Sequence, residues 1–290
     1  MTNSYSYTEF TSRNIGFVTI GEQNILKNLR IFISGVGGMG SAAIACLARM
    51  GIENFIISDI DQFELSNLNR QIFANINTIG QNKTDITAIA LKEINPNIKI
   101  ITKNETWVNE IDQILLNSDI VINGCDDMKN SILLLRKCKE HHRTCIDAFA
   151  CTFPNVYVVK PTDKRPEEAF NYPSLGLLID KITPQIEREC LIKEIEHVAI
   201  HSNCLNYIDL SIAKDILSGK MKRISFAPMV WMTGCLMAYQ VLNIALKKNN
   251  SASINGIFFN PYNNQMEKPV SWLEVLWKRI YLRRLKLFSI

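Results

Sequence analysis

The chain has 290 residues, of which 47% are hydrophobic and 21% are charged. This composition excludes a disordered protein and predicts one large α/β domain, or one domain with a smaller addition. The N-terminal residues are polar and lack the basic and apolar segments of a secretory signal, so we expect a cytoplasmic protein.

The formal net charge of +4 depends on a basic segment close to the C-terminus, which contains Lys278, Arg279, Arg283, Arg284 and Lys286. Without these five residues the net charge is 4 − 5 = −1, so the rest of the chain lacks the broad basic surface of a nucleic-acid-binding protein. We therefore expect no nucleic-acid partner. The segment itself predicts a C-terminal helix that docks through Trp277, Ile280, Tyr281 and Leu285, or else a helix for an acidic partner or membrane surface.

The first half of the chain alternates strands with helices. A helix over residues 21–29 precedes the strand "RIFIS", and four further strands are predicted in "NFIISDID", "IKIITKNE", "DIVINGCDD" and "TCIDAFACT". Strands thus alternate with helices over the first half of the chain. Such alternation predicts a doubly wound, Rossmann-like fold with a mostly parallel sheet.

The second half, residues 151–290, has a different pattern. "NVYVVKP" and "GIFFNP" are predicted to be strands without crossover helices, which indicates an antiparallel extension of the sheet. Residues from about 162 to 224 predict a partly helical insertion or mobile flap. The apolar stretch 227–246 carries Thr233, Gln240 and Asn243, so it predicts a buried helix and not a transmembrane segment. We expect the two halves to form one compact domain.

A glycine-rich turn follows the first strand. Its residues Gly35, Gly37, Gly38 and Gly40 match the pattern G-x-G-x-x-G between a strand and a helix, where backbone N–H groups can approach a phosphate. Asp59 ends the second strand and lies at the position of a carboxylate that accepts hydrogen bonds from a ribose. This motif alone predicts a nucleotide site, most often for NAD.

The loop after the second strand changes that expectation. Asp61, Asn67, Arg70 and Gln71 follow Asp59 within "SDIDQFELSNLNRQ", and Lys83 comes early in the next helix. Two fixed cations beyond the ribose suit a triphosphate better than the unbroken pyrophosphate of NAD. Asp126, in "GCDD" at the end of the fourth strand, lies where a magnesium ligand would be useful.

These motifs, with "GQNKTD" and "INPN" in the same order, resemble the ThiF/MoeB/HesA superfamily, the bacterial relatives of ubiquitin-activating E1 enzymes. The resemblance implies that residues 1–150 form an ATP-binding adenylation half. In it the four glycines face the ATP phosphates, Asp59 and Asp61 lie at the nucleotide, and Asp126 holds Mg²⁺. Asn67, Arg70, Gln71 and Lys83 would line the triphosphate and acyl-phosphate site.

The resemblance also implies a homodimer. Arg13, in "TSRNIGF", matches an N-terminal arginine that reaches the neighbouring subunit's ATP site in family dimers. The implied reaction is attack of a substrate carboxylate on the α-phosphorus of ATP, with Arg70, Lys83, Asp126 and Arg13 as the catalytic residues.

The chain departs from many relatives in its cysteines. It lacks the two C-x-x-C pairs that bind a structural zinc, so zinc is not expected. Cys190 and Cys204 are the remaining candidates for thioester or persulfide chemistry, because they lie in the 162–224 segment. These departures favour direct trapping of the acyl-adenylate by an amine, amide or carbanion of the substrate, as in the maturation of peptide natural products.

Several alternatives stay open on the sequence. The first is activation of the C-terminus of a ubiquitin-like or sulfur-carrier protein. A second is a tRNA-base dehydratase of the same superfamily, and a third is a non-catalytic E1-like scaffold subunit. An NAD oxidoreductase would not need Lys83 and Arg70.

Overall fold

The computed structural model describes residues 5–248, 252–268 and 270–284. Its centre is one sheet of eight strands, most of which are short runs rich in apolar or β-branched residues. In chain order these are β1 (Arg30–Ser34), β2 (Asn54–Ser58), β3 (Lys99–Lys103), β4 (Ile120–Asn123), β5 (Thr144–Asp147), β6 (Asn155–Val159), β7 (Ile257–Asn260) and β8 (Gln265–Met266).

Helices occupy most of the segments between the strands. They are α1 (Tyr7–Phe10), α2 (Ile20–Asn28), α3 (Gly38–Arg49), α4 (Lys83–Ile94), α5 (Ile111–Leu116), α6 (Met128–Glu140), α7 (Pro166–Ala169), α8 (Pro184–His201), α9 (Leu210–Leu217), α10 (Ala227–Ala245) and α11 (Trp272–Arg284).

The strand order is β3-β2-β1-β4-β5-β6-β7-β8, in which β1 to β5 are parallel and β6 to β8 are antiparallel. The predicted fold class, a doubly wound and mostly parallel sheet with an antiparallel extension, is confirmed. The order of the chain reverses between β1 and β4. Loops after these two strands therefore diverge and open a crevice at the carboxyl edge of the sheet.

The central strands are apolar on both faces, as a sheet covered by two helical layers requires. Ile31 and Ile33 of β1 pack on one face with α3, α4 and α10, whereas Phe32 packs on the other with α5, α6 and α8. Successive side chains of the central strands therefore belong to two different cores.

The segment from about residue 162 to 224 is partly helical, as the sequence indicates, and α8 is packed against the domain. Cys190 and Cys204, the two candidate nucleophiles, are 0% and 5% exposed. Burial raises the pKa of the Cys190 thiol, which disfavours the reactive thiolate.

Two helices of the second half are less buried than expected. α10 packs one face on α3, but its Trp231 and Tyr239 are 45% and 63% exposed. In α11 the predicted docking residues Trp277 and Tyr281 are exposed, and Leu282 is buried instead. That part of the prediction was wrong because the helix contacts α8 through a different face. Leu285 and Lys286 lie outside the described residues.

Within the described ranges, none of the helices is both long and apolar enough to cross a membrane.

The close contact between α3 and α10 predicts that alanine destabilises the protein more at Gly234 than at Gly21. A Cβ atom at Gly234 would lie 2.4 Å from the Ala42 Cβ atom, so Gly234→Ala should destabilise the protein by about 1–3 kcal/mol through overpacking. Gly21→Ala in α2 is the control, because its Cβ atom would meet nothing closer than 4.0 Å. Urea unfolding measures both, and equal stabilities of the two variants would contradict this packing.

Candidate active site

The glycine turn holds the carboxyl ends of β1 and β4 in direct backbone contact. Gly35 has a φ of +87°, and a Cβ atom there would lie 2.6 Å from the carbonyl oxygen of Gly124. A Cβ atom at Gly40 would lie 1.9 Å from the Gly35 carbonyl oxygen. Both positions therefore require glycine for close backbone approach.

The turn leads directly into α3, whose N-terminus has no side-chain cap. Gly37 occupies the N-cap position and offers no hydrogen-bond acceptor of its own to the first N–H groups of the helix. These donors and the positive end of the helix dipole form a place where a phosphate can bind.

Asp59 connects the end of β2 with this turn. One of its carboxylate oxygens accepts a hydrogen bond from the Val36 amide at 2.9 Å, and the other accepts one from the Asp61 amide at 3.0 Å. Burial raises the pKa of Asp59, while the nearby Lys83 charge opposes that shift. The carboxylate lies beside the glycine turn, where the sequence predicts a ribose ligand.

Lys83 is the first residue of α4 and is held by Asp61. Its Nζ atom lies 2.7 Å from the Asp61 carboxylate, and the lysine side chain is 7% exposed against 62% for the aspartate. The Lys83 amide also donates to the Asp61 carbonyl oxygen at 3.1 Å. Asp61 therefore positions Lys83, a role that the sequence alone did not indicate.

The loop after β2 folds back over the glycine turn. The carbonyl oxygen of Asn67 accepts hydrogen bonds from the Arg70 and Gln71 amides at 3.1 and 2.9 Å, and its side-chain oxygen accepts one from the Glu64 amide. Asn67 is 6% exposed. Its contacts close the loop, so this structure gives it a structural task besides the predicted nucleotide contact.

Arg70 brings a positive charge to the turn. Its Cδ atom is 3.8 Å from the position of a Cβ atom on Gly38, and its guanidinium donates to the Ser66 carbonyl and the Asn69 side chain at 2.9 Å each. Among the ion pairs of the described residues, none includes Arg70. The indole of Trp231 at the start of α10 donates to the Arg70 carbonyl oxygen at 2.7 Å, which fixes the loop.

Gln71 is an incompletely satisfied buried group at the same place. It is 5% exposed, its Oε1 atom has no hydrogen-bond partner, and its Nε2 atom is 3.6 Å from the position of a Cβ atom on Gly37. Buried polar atoms without partners are rare and costly. The Nε2 group of Gln71, the uncapped helix and the Arg70 guanidinium can all donate to phosphate oxygens, so they fit a bound triphosphate.

Asp126 follows β4 and is exposed at the carboxyl edge of the sheet, where a cation bound to a phosphate could reach it. Its neighbour Cys125 contacts the Ser34 hydroxyl at 2.7 Å, and burial raises the pKa of this thiol to about 12. A thiol with this pKa is protonated at neutral pH, so Cys125 is no nucleophile.

Arg13 is the one predicted residue that does not join the others within a single chain. Its neighbour Asn14 donates a hydrogen bond to the Met50 carbonyl oxygen, at the C-terminal end of α3. The glycine turn lies at the other end of this 12-residue helix, about 18 Å away. Arg13 is exposed and too distant to reach the site of its own chain.

Two carboxylates near Asp126 were missed in the sequence. Asp147 ends β5 and Glu194 lies in α8, and both line a small cavity that Cys125 and Asp126 also border. Asp147 could have been found by its position at the carboxyl end of a strand. Glu194 carries no comparable signal, because only the packing of α8 brings it to this edge.

Replacement of Gln71 by leucine should have opposite effects on the stability of the free protein and on nucleotide binding. Gln71→Leu should leave the free protein as stable as the wild type or more stable by up to about 2 kcal/mol, because no buried polar atom remains unpaired. The same change should reduce the stabilisation that MgATP gives in thermal unfolding. Gln240→Leu is the matched control, since Gln240 is 6% exposed and its Oε1 atom also has no partner. An undiminished MgATP effect in Gln71→Leu would count against the site.

Comparisons with known proteins show which family the chain resembles. The ThiF family model matches residues 11–272. A tRNA threonylcarbamoyladenosine dehydratase of Bacillus subtilis is 32% identical over 125 residues, which are 42% of this chain and 49% of the relative. A molybdopterin-synthase adenylyltransferase of Escherichia coli is 36% identical over 107 residues, 37% of this chain and 43% of the relative. The chain thus spans less than half the length of these curated relatives.

Among solved structures, E. coli MccB with succinimide is similar in fold. It has a TM-score of 0.65 at 20% identity, over 93% of this chain and 73% of MccB. E. coli MccB has also been solved with ATP, with a TM-score of 0.60 at 19% identity over 86% of this chain and 66% of MccB. The family model covers most of the sequence, and on this basis the chain belongs to the ThiF family.

Proposed function

We propose that the protein is an ATP-dependent adenylating enzyme that transfers AMP to a carboxylate of a peptide or small carrier protein and releases pyrophosphate. One observation carries the proposal: Arg70 lies against an uncapped helix N-terminus, and Lys83 lies beside the Asp59 carboxylate at the crevice of the sheet. A dinucleotide that is bound but never cleaved would not need two cationic side chains at these positions.

The proposed chemistry needs electrostatic help and no general base. A substrate carboxylate has an ordinary pKa of about 4 and is an anion at neutral pH, so it can attack the α-phosphorus directly. The obstacle is the approach of an anion to a polyanion. Arg70, Lys83 and the α3 N-terminus offset the charge of the phosphates. Magnesium held by Asp126 would supply further neutralising charge.

The named relatives support this reaction class. They include molybdopterin-synthase adenylyltransferases, and MccB structures have been solved with ATP and with N-formylated MccA. Peptide modification in natural-product maturation is the context we favour. The similarity to the MccB fold extends over 93% of this chain. The described residues also contain no cluster of cysteines that could hold a structural zinc.

Two other substrates of the same reaction have specific support. Similarity to molybdopterin-synthase adenylyltransferases supports the C-terminus of a sulfur-carrier protein, and similarity to the dehydratase supports a tRNA base. The basic helix α11 gives only weak support for tRNA. One of its cations, Lys278, already donates from its Nζ atom to the Ile200 carbonyl oxygen at 2.8 Å. A salt-dependent gel shift with tRNA distinguishes this alternative.

We further propose a homodimer in which Arg13 acts at the partner's site. The residue after Arg13, Asn14, contacts the C-terminal end of α3, and the glycine turn of the same chain lies at the other end of this helix, which is about 18 Å long. Phe17 and Ile20, which follow Arg13 closely, are 86% and 71% exposed, as expected for residues that a second subunit covers.

The charge of Arg70 should be required for adenylation. Arg70→Ala and Asp126→Asn should each lower ATP–pyrophosphate exchange with an accepted peptide on the order of 10²-fold. Arg49→Ala and Asp180→Asn are the matched controls, because they make the same chemical changes at exposed positions of α3 and of the segment before α8. Exchange that survives in both site variants would place catalysis outside this site, whereas a wild-type protein that shows no exchange with any peptide or carrier would favour a scaffold subunit.

Action of Arg13 across the interface can be tested by mixing two inactive proteins. Arg13→Ala and Arg70→Ala homodimers should each lack activity, but a heterodimer contains one site with both arginines intact. After exchange of subunits, about a quarter of the wild-type activity should return. The proposal would be contradicted if a mixture that is shown to form heterodimers recovered no activity. Both arginines would then act in the site of one chain, or Arg13 would act outside the site.

A further inference from the structure

A small polar cavity lies next to Asp126, between the carboxyl ends of β4 and β5 and helix α8. Its volume is about 40 Å³, and Cys125 and Asp126 form the wall nearest the nucleotide site. The rest of the lining includes the buried Asp147, Tyr157 and Tyr172, together with Glu194 and the exposed Arg223. A space of this size admits two or three water molecules or one small polar group, but not a nucleobase.

The hydrogen bonds in the lining leave mainly acceptors towards the cavity. Tyr157 donates its hydroxyl hydrogen to Asp147 at 2.6 Å, and Tyr172 donates its own to Glu194 at 3.3 Å. Both phenol groups have thus used their single donor and retain acceptor lone pairs. Ser131 and Arg223 are the lining residues whose side chains can still donate to a ligand. A group with several N–H donors would fit this wall best.

The charge of the lining points to the same class of ligand. Glu167, a third carboxylate of the lining, is neutralised by two hydrogen bonds from Arg136 at 2.9 and 2.7 Å. Among the ion pairs of the described residues, none includes Asp147 or Glu194. Burial raises the pKa of both carboxyls, to about 7 for Asp147. Asn123 also donates to Asp147 at 2.9 Å, and the charge of Arg223 acts on Glu194, but neither carboxylate has a direct ion-pair partner. Buried carboxylates without one are costly, and proteins that retain them often use them in a site.

We propose that this cavity receives a primary amine or primary carboxamide of the substrate and that Asp147 accepts its proton when the nitrogen attacks the acyl-adenylate. The proposal rests on the adenylating function above. The N–C bond forms, the bond between the acyl carbon and the phosphate oxygen breaks, and AMP leaves with that electron pair. The nitrogen proton moves to the Asp147 carboxylate, so Asp147 is a catalytic residue of the second step.

Binding in the cavity can be tested without the natural substrate. The Ala148 and Ala150 amides donate to Asp147 and Glu194, so their NMR signals report directly on these carboxylates. Ethylammonium chloride should shift both signals, whereas ethanol and potassium chloride should not. Acetamide in place of ethylammonium distinguishes a carboxamide site from an amine site. Asp147→Asn, which keeps the size of the side chain, should weaken binding about tenfold.

The control for this titration is Asp180→Asn, an exposed carboxylate far along the chain, which should bind like the wild type. Thermal unfolding verifies that both variants are folded, and Glu194→Gln replaces Asp147→Asn if that variant fails to fold. Failure of both ethylammonium and acetamide to shift the two amides, or equal shifts in Asp147→Asn, would overturn the assignment.

The catalytic step has a separate readout. With a saturating peptide that supports ATP–pyrophosphate exchange, Asp147→Asn should slow formation of the new N–C bond on the order of 10²-fold more than it slows exchange. An equal loss of exchange would show that Asp147 does not act after adenylation and would overturn its role. If no peptide supports exchange, the proposed function fails, and the amide titration still decides the cavity.

Discussion

The close approach of the ends of β1 and β4 is the constraint on which the rest of the site depends. Gly35, Gly40 and Gly124 let three backbone segments meet at distances that no side chain would allow. This contact places the N-terminus of α3 at the reversal of strand order, where the crevice opens. The loop after β2 can then fold over the turn and bring Arg70 to it.

The cations of the site and its further carboxylates lie on different sides of the crevice. Arg70 and Lys83 lie on the side of β2 and α4, with Asp61 paired to Lys83, whereas Asp126 and the cavity carboxylates lie on the side of β4 and β5. In the proposed reaction Arg70 and Lys83 stabilise phosphate charge, Asp126 holds a cation and Asp147 receives a proton. The proposed adenylation step and the proposed transfer step thus use groups that are neighbours at one crevice.

Much of the fold follows from the sequence, because strands alternating with helices leave few possible topologies. The glycine turn and Asp59 were predictable because they belong to one short sequence motif. Other features depend on long-range packing. Nothing in the sequence around Trp277 indicates that α11 turns this residue to solvent, and Glu194 reaches the cavity only through the position of α8. The distance of Arg13 from its own site is likewise visible only in three dimensions.

The central claim is that a carboxylate oxygen becomes bonded to the α-phosphorus of ATP. The most direct measurement uses a peptide whose carboxylate is labelled with ¹⁸O and follows the label by mass spectrometry after turnover. An acyl-adenylate that is attacked at its acyl carbon predicts one ¹⁸O atom in the released AMP. Label in inorganic phosphate, with ADP as the nucleotide product, would contradict the account.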